Sequence, residues 1–385
     1  MQLLLRQKDS LKPFGTNPKN AVNIEEFLTT KLESKEMTQF VYLHKYLYGG
    51  ATTFTAHLIH KLGVSNNSNI NTNKNLTANI INANAVLRCA KTSEKKMREF
   101  GYGLQYQNVS SSVLAKIKYP FLTIFKEQYF HALHELNRRS KDKLKDIVLV
   151  IHDHRDISNR TAPYVKHWSL VAIRRTVRDF MQRRYGLDCT FIYHPFHPYP
   201  VVHKAQRQGA VSISRISFEK NIDIIINANK ILDEHDAIKL YGCPSRMYVY
   251  NFLGGFQGDF SKYFCGMFGK SFTTLSEILA EAKFVVDLSI LKHDGGGTQY
   301  TFLEAIHNDC ALILHRKWIE GGDIIPEYCD FKEGYNCYAV DSENELAELI
   351  RRDPDTTKVV ANSKKLIQRH IDVDWSHLLK NTSCC

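Results

Sequence analysis

Phe284-Val-Val-Asp-Leu-Ser289, Asp294-Gly-Gly-Gly297, Thr301-Phe-Leu-Glu-Ala-Ile-His-Asn308 and Cys310-Ala-Leu-Ile-Leu314 follow one another in a single short stretch. The first and last are short aliphatic runs, as strands buried on both faces require. Between them stand a glycine turn and one amphipathic helix. Strand, turn, helix and strand in that order make a βαβ unit with parallel strands. The alternation continues on the amino side as strand 210–214, helix 219–232, strand 237–241 and helix 274–282. On the carboxyl side a final helix over about 358–370 leads into Trp375-Ser-His-Leu-Leu379.

The first half repeats the theme. Gln39-Phe-Val-Tyr-Leu43 predicts a strand, Gly49-Gly50 a turn, and Ala51 to Leu62 a helix with Phe54, Leu58 and Leu62 on one face. Lys145-Asp-Ile-Val-Leu-Val-Ile151 is the most apolar strand in the chain. Its end, His152-Asp-His-Arg155, therefore sits at a strand's carboxyl end, where open parallel sheets bind ligands. A long helix is expected over about Tyr164 to Tyr185, and a last strand at Thr190-Phe-Ile-Tyr193. Nine asparagines within 65–84 predict a polar loop, with a weak strand at Ala85-Val-Leu87. His194-Pro-Phe-His-Pro-Tyr-Pro200 marks a boundary. The expected organisation is an N-terminal extension over 1–36 with a short helix at Ile24–Leu32, Rossmann-like domains over 37–200 and 201–370, and a tail over 371–385. Two α/β domains in series put a cleft between them.

The chain has 385 residues, is 43% apolar and 24% charged, and so excludes fibrous and wholly disordered classes. No run reaches the roughly 18 apolar residues of a membrane span. The opening MQLLLRQKDS is too short an apolar run for a signal-peptide core. Nine scattered cysteines without a Cys-x-x-Cys spacing read as free thiols in a reducing, cytoplasmic compartment. Residues 1–205 hold 31 Lys and Arg against 15 Asp and Glu, a balance of +16; residues 206–385 hold 20 against 25, a balance of −5. Such a contrast expects a polyanion, most simply double-stranded DNA, on the first half. Basic clusters there include Arg138, Arg139, Lys141, Lys143 and Lys145, and the arginines at 174, 175 and 178.

Several residues point to chemistry. Arg215 follows the strand over 210–214, and Lys220 opens the next helix; cations beside free helix N–H groups suit a diphosphate. The turn Asp294-Gly295-Gly296-Gly297-Thr298, with Tyr300 and Glu304 on the helix after it, lets backbone approach a phosphate or sugar and places a carboxylate for ribose hydroxyls. His152-Asp153-His154 lacks further ligands at metal spacing, so it reads as a polar loop or as a proton-handling group. Asp372-Val-Asp374 is read as structural.

These residues resemble GT-B glycosyltransferases, and among them the bacteriophage DNA α-glucosyltransferases. That family's Gly-Val-Thr-x-Phe-Ser resembles Gly50-Ala-Thr-Thr-Phe-Thr55, its Val-Tyr-Gln-His-Asp-His resembles Leu149-Val-Ile-His-Asp-His154, and its Tyr-Thr-His-Leu-Glu-Leu resembles Tyr300-Thr-Phe-Leu-Glu-Ala305. The matches are collinear over roughly residues 38–375. The resemblance implies a GT-B fold and a retaining transferase (EC 2.4) that uses UDP-glucose or a similar nucleotide-sugar. It implies no essential metal, a hydroxymethylated base such as hydroxymethylcytosine as acceptor, and a monomer in the host cytoplasm. It implies donor binding by Gly49, Gly50, Arg215, Lys220, Asp294 to Thr298, Tyr300 and Glu304. It further implies catalysis by Asp153 with His152 and His154, and DNA binding through Arg155, Arg174, Arg175 and Arg178. One position departs: Gly296 stands eight residues before Glu304, where the wider superfamily often has a sugar-side Glu. Two further readings fit the same residues: a GT-B enzyme of polysaccharide or lipid-linked acceptors, and an inactive relative that binds DNA or nucleotide.

Overall fold

A computed structural model describes residues 38–379, apart from 45–46, 66–79, 84–96, 110–113, 140, 254–256, 290–296 and 321–325. The expected helix at Ile24–Leu32, the strand at Ala85–Leu87, and Asp294, Gly295 and Gly296 lie outside the described residues.

Fourteen described strands form two sheets. The first contains β1 (Gln39–Leu43), β2 (Ile80–Ala83), β3 (Met97–Gly101), β4 (Leu104–Val109), β5 (Pro120–Phe125), β6 (Val148–Ile151), β7 (Ser169–Ala172) and β8 (Cys189–Phe191). Their order is β3-β4-β2-β1-β5-β6-β7-β8, parallel except for the β3–β4 hairpin. The second sheet contains β9 (Ala210–Ser212), β10 (Lys239–Tyr241), β11 (Phe264–Gly266), β12 (Phe284–Asp287), β13 (Ala311–His315) and β14 (Tyr338–Val340). Its order is β11-β10-β9-β12-β13-β14, parallel throughout. Every residue of β5, β6, β12 and β13 is buried, as in parallel strands covered on both faces.

Five helices matter for the site: α1 (Gly50–Ser65), α2 (Arg175–Tyr185), α3 (Ile222–Ile231), α4 (Tyr300–His307) and α5 (Thr357–Asp372). In the first sheet the chain switches direction between β1 and β5; in the second, between β9 and β12. Ligands bind outside the carboxyl ends of strands at such switch points.

The structure corrects three expectations. The single helix over 164–185 is instead a short helix Ala162–Val165, the strand β7 and then α2. Ser169-Leu-Val-Ala172 pairs residue for residue with Val148–Ile151, and this ladder overrides a helical spacing that Ile173, Val177 and Phe180 happen to continue. Within the stretch 65–84 expected as a polar loop, Ile80–Ala83 form β2, which pairs with both β1 and β4. The residues read as a tail return to the first half: Trp375 is buried against Phe54, with ring centroids 5.5 Å apart, and its Nε1–H donates to the Tyr193 carbonyl at 3.0 Å. One apolar cluster accordingly runs from Phe54, Phe121 and Ile173 through Phe196 to Leu303 and Trp318.

Candidate active site

The carboxyl ends of the two sheets face each other across a cleft of about 1070 Å³. On the first-sheet side, Gly49 opens α1 at φ +83°, and a Cβ on Gly49 or Gly50 would meet nothing within 4 Å. Thr52 N–H and Thr53 N–H both donate to the Gly49 carbonyl. The Tyr42 and Thr52 hydroxyls lie 3.0 Å apart, tying the start of α1 to β1, so the open backbone at 49–50 rests on a rigid base. On the second-sheet side a Cβ on Gly242, at φ +148°, would come within 1.9 Å of the Ser214 carbonyl oxygen. Only glycine lets the loops after β9 and β10 approach that closely.

Lys220 is buried just before α3, and its ammonium donates to Asp287 at 3.0 Å, Ser289 at 2.6 Å and Gln299 at 3.1 Å. Asp287 ends β12 and is fully buried, so each charge is the other's compensation. Arg215 is half-exposed and pairs with Glu219 at 2.6 Å, a surface pairing that a diphosphate can displace at small cost. Thr298 is buried, and its hydroxyl reaches His370 Nε2 at 3.3 Å. A Cβ on Gly297 would meet the Arg174 side chain at 3.4 Å, so this glycine turn and the start of α2 close on each other. The Tyr300 hydroxyl donates to the Pro195 carbonyl at 2.7 Å, and its ring stacks on His57 at 5.0 Å.

Glu304 differs from its expected role. It lines the cleft but is buried, and both carboxylate oxygens already have partners. His57 Nδ1 accepts the His197 amide, so its Nε2–H donates to Glu304 at 2.8 Å; the Tyr199 hydroxyl donates to the other oxygen. Glu304 thus joins α4 to α1 and to the linker, and each carboxylate oxygen keeps a second lone pair as acceptor.

The acceptor-side loop follows β6. Asp156 is the buried hub that sequence reasoning missed: one oxygen accepts the His152 and Asp153 amides at 2.9 and 3.0 Å, and the other pairs with Lys126, a cleft cation after β5. His152 Nε2–H donates to the Thr123 carbonyl at 2.7 Å, so Nδ1 carries the lone pair. Burial pushes its pKa down to about 4, against an opposing pull from Asp156. Asp153 meets Arg155 at 3.0 Å. Burial alone would raise its pKa, but the Arg155 hydrogen bonds and charge outweigh it and hold the carboxyl at about 2. His154 does not line the cleft; its Nδ1 lies 3.4 Å from Asp153 Oδ1 and its ring packs on Phe180 of α2, 5.3 Å centroid to centroid.

The four expected DNA arginines divide. Arg155 and Arg174 line the cleft. Arg175 instead donates to the Tyr193 hydroxyl at 2.8 Å and stacks among Phe191, Tyr193 and Tyr328. Arg178 pairs with Asp179 at 2.8 Å. In both, aromatic or carboxylate neighbours within the fold take up the guanidinium. Asp374 accepts from Ser376 and Asp372 from Gln368, so the Asp-x-Asp pair is engaged in local turns.

His152 and His370 predict acid sensitivity. Burial also lowers His370, to about 3. Unfolded histidine titrates near 6.5, so between that pH and 4 the unfolded chain binds more protons. Stability is complete above pH 6.5 and falls as pH drops, by about 1.4 kcal/mol per pH unit for each such histidine. Urea unfolding at pH 7 and pH 5.5 measures this, and equal midpoints would refute it.

Two Rossmann-like sheets facing across a cleft, with switch points opposed, define the GT-B fold of glycosyltransferases. The particular structures it resembles are distant in sequence. An α-glucosyltransferase solved with UDP and a 13-mer DNA containing an HMU base superposes with a TM-score of 0.60 at 12% identity, covering 88% of this chain and 96% of that one. The Anabaena protein HepE, solved with UDP and glucose, gives 0.58 at 12% identity over 87% and 95%. A glycosyltransferase from Rickettsia africae gives 0.56 at 11% over 88% and 95%. No protein-family model and no curated protein matches the sequence. Among the described residues no helix is long and apolar enough to cross a membrane.

Proposed function

We propose that the chain transfers a sugar from a UDP-sugar such as UDP-glucose, with retention, to the hydroxyl of a hydroxymethylated base in duplex DNA. The observation that carries this reading is the opposed pair of switch points. Open backbone at Gly49-Gly50 faces Arg215 and Lys220 across one cleft large enough for a nucleotide-sugar and an acceptor. In the reaction the acceptor oxygen bonds to the anomeric carbon as the bond from that carbon to the diphosphate breaks. The hydroxyl proton leaves for the departing diphosphate oxygen or for His152 Nδ1. Arg215 and Lys220 stabilise the charge that develops on the diphosphate. Asp153, a permanent anion beside Arg155, orients the hydroxyl and balances positive charge on the sugar. The basic first half and the DNA-bound relative support the DNA acceptor.

Incubation with labelled UDP-glucose and duplexes that do or do not carry hydroxymethylated pyrimidines tests this. Label is expected only in the modified duplex, with the α configuration by NMR. Transfer to a polysaccharide or lipid acceptor instead, or UDP binding without turnover on any acceptor, overturns it.

A further inference from the structure

Among the described lysines and arginines of the first half, Lys126, Arg155 and Arg174 line the cleft and the others do not. β5, β6 and β7 are adjacent and parallel, and Phe121, Val148 and Ser169 are register partners. Three residues before each of them stand Lys118, Lys145 and Lys166, all exposed. Each of the three lies in the turn or bend that leads into its strand, so the parallel order of β5, β6 and β7 gathers the three lysines on the amino-terminal edge of the sheet. The Ser169 hydroxyl donates to the Lys145 carbonyl at 2.8 Å, and Arg139 donates to the Lys118 carbonyl at 3.0 Å, so this edge is one continuous surface. Lys116, Lys141 and Lys143 are exposed beside the three lysines. The carboxylates on the same edge are Asp142, Asp146 and Asp188, and Glu135 is taken by Arg138 at 3.4 Å.

The contrast with other cations is specific. Lys145, Lys166, Lys116, Lys141 and Lys143 form no ion pair with any described carboxylate, whereas Arg155 and Arg178 do. On the second half, Lys204 pairs with Glu281 and Lys283, just before β12, pairs with Asp353. The exposed large apolar side chains among the described residues all lie elsewhere, so this edge has no anchor of the kind that seats a protein in a lipid surface.

We infer that the amino-terminal edge of the first sheet is a second polyanion-binding surface, away from the cleft, that takes the phosphate backbone of a nucleic-acid duplex. Binding of this kind is sequence-independent and releases counterions, so it tethers the protein to DNA while the cleft is empty. Such tethering does not depend on glycosyl transfer.

The test uses the full chain, a fluorescent 30-bp duplex of ordinary bases and no sugar donor. Anisotropy is read from low to high salt. In the triple variant Lys118→Glu, Lys145→Glu, Lys166→Glu, the slope of log affinity against log salt is expected to be shallower by about 2–3, near 0.9 for each phosphate no longer neutralised. The control triple Lys239→Glu, Lys358→Glu, Lys365→Glu changes net charge equally on exposed positions of the second half and should leave the slope in place. Unchanged melting by circular dichroism verifies that both variants fold. Equal weakening in both triples, or no change in the edge variant, overturns the assignment. So does an edge variant that loses binding to phosphatidylserine vesicles and keeps its binding to DNA. Because the duplex carries no acceptor base, failure of the transferase reading appears as absent label transfer, with this binding result unaffected.

Discussion

Lys220→Ala is expected to destabilise the fold by about 3–5 kcal/mol and to abolish measurable donor binding. The first effect follows from Asp287. Its carboxylate is fully buried at the end of β12, and the Lys220 ammonium is the cation that compensates it. Truncation leaves that charge stranded in a low-dielectric interior. The second follows from position: the ammonium lies between β12 and Gln299, at the second-sheet switch point where a diphosphate would sit. The double variant Lys220→Met, Asp287→Asn separates the two. It removes both charges, so most of the stability should return. UDP affinity by calorimetry should stay at least tenfold weaker, since the charge-assisted bonds to phosphate are gone. Full recovery of UDP binding in the double variant would show Lys220 to be a structural cation only.

Much of the architecture could be read from local patterns. The runs over 145–151, 284–289 and 310–314 are aliphatic, as strands of a doubly covered parallel sheet are, and β6, β12 and β13 fall on them, β13 reaching one residue further to His315. What could not be read depends on distance along the chain. β7 lay inside a helical spacing because its identity comes from pairing with β6, not from its own composition. Glu304 was legible as a cleft residue, but its bond to His57 spans 247 positions and leaves no local trace. Asp156 had a signal, a carboxylate five residues after a strand end, where turn amides want an acceptor. The +16 balance was legible as a sum. Its placement was not, because only the register of β5, β6 and β7 shows which lysines share an edge.

Asp153→Asn is expected to lower transfer by about 10²–10⁴ with donor binding nearly intact. The asparagine keeps the shape and one carbonyl oxygen, so the main-chain bond from Arg155 at 2.8 Å survives. What disappears is a fixed negative charge. With its carboxyl held at about 2, Asp153 is ionised throughout the working pH range and is a weak proton acceptor. On the proposed reading its contribution is therefore charge placed where the sugar becomes positive and the attacking hydroxyl must be aligned. His152 differs: it is neutral, with its lone pair on Nδ1, and it gains a proton only as pH falls through about 4. The two roles predict different pH profiles. If Asp153 acts as charge, the wild-type rate has no acidic limb assignable to it above pH 4, and Asp153→Asn is slow at every pH by a constant factor. If Asp153 were the proton acceptor, the deficit would shrink as hydroxide takes over at high pH. His152→Ala should cost less than Asp153→Asn if His152 only positions the acceptor, and should abolish any acidic limb near pH 4 if it takes the proton. His154→Ala should cost less than Asp153→Asn, because His154 acts through its 3.4 Å contact to the Asp153 carboxylate, and it should lower stability, because its ring no longer packs on Phe180. Asp153→Asn at near wild-type rate would end the assignment of this loop and move the search for the sugar-side charge to the turn over 294–297.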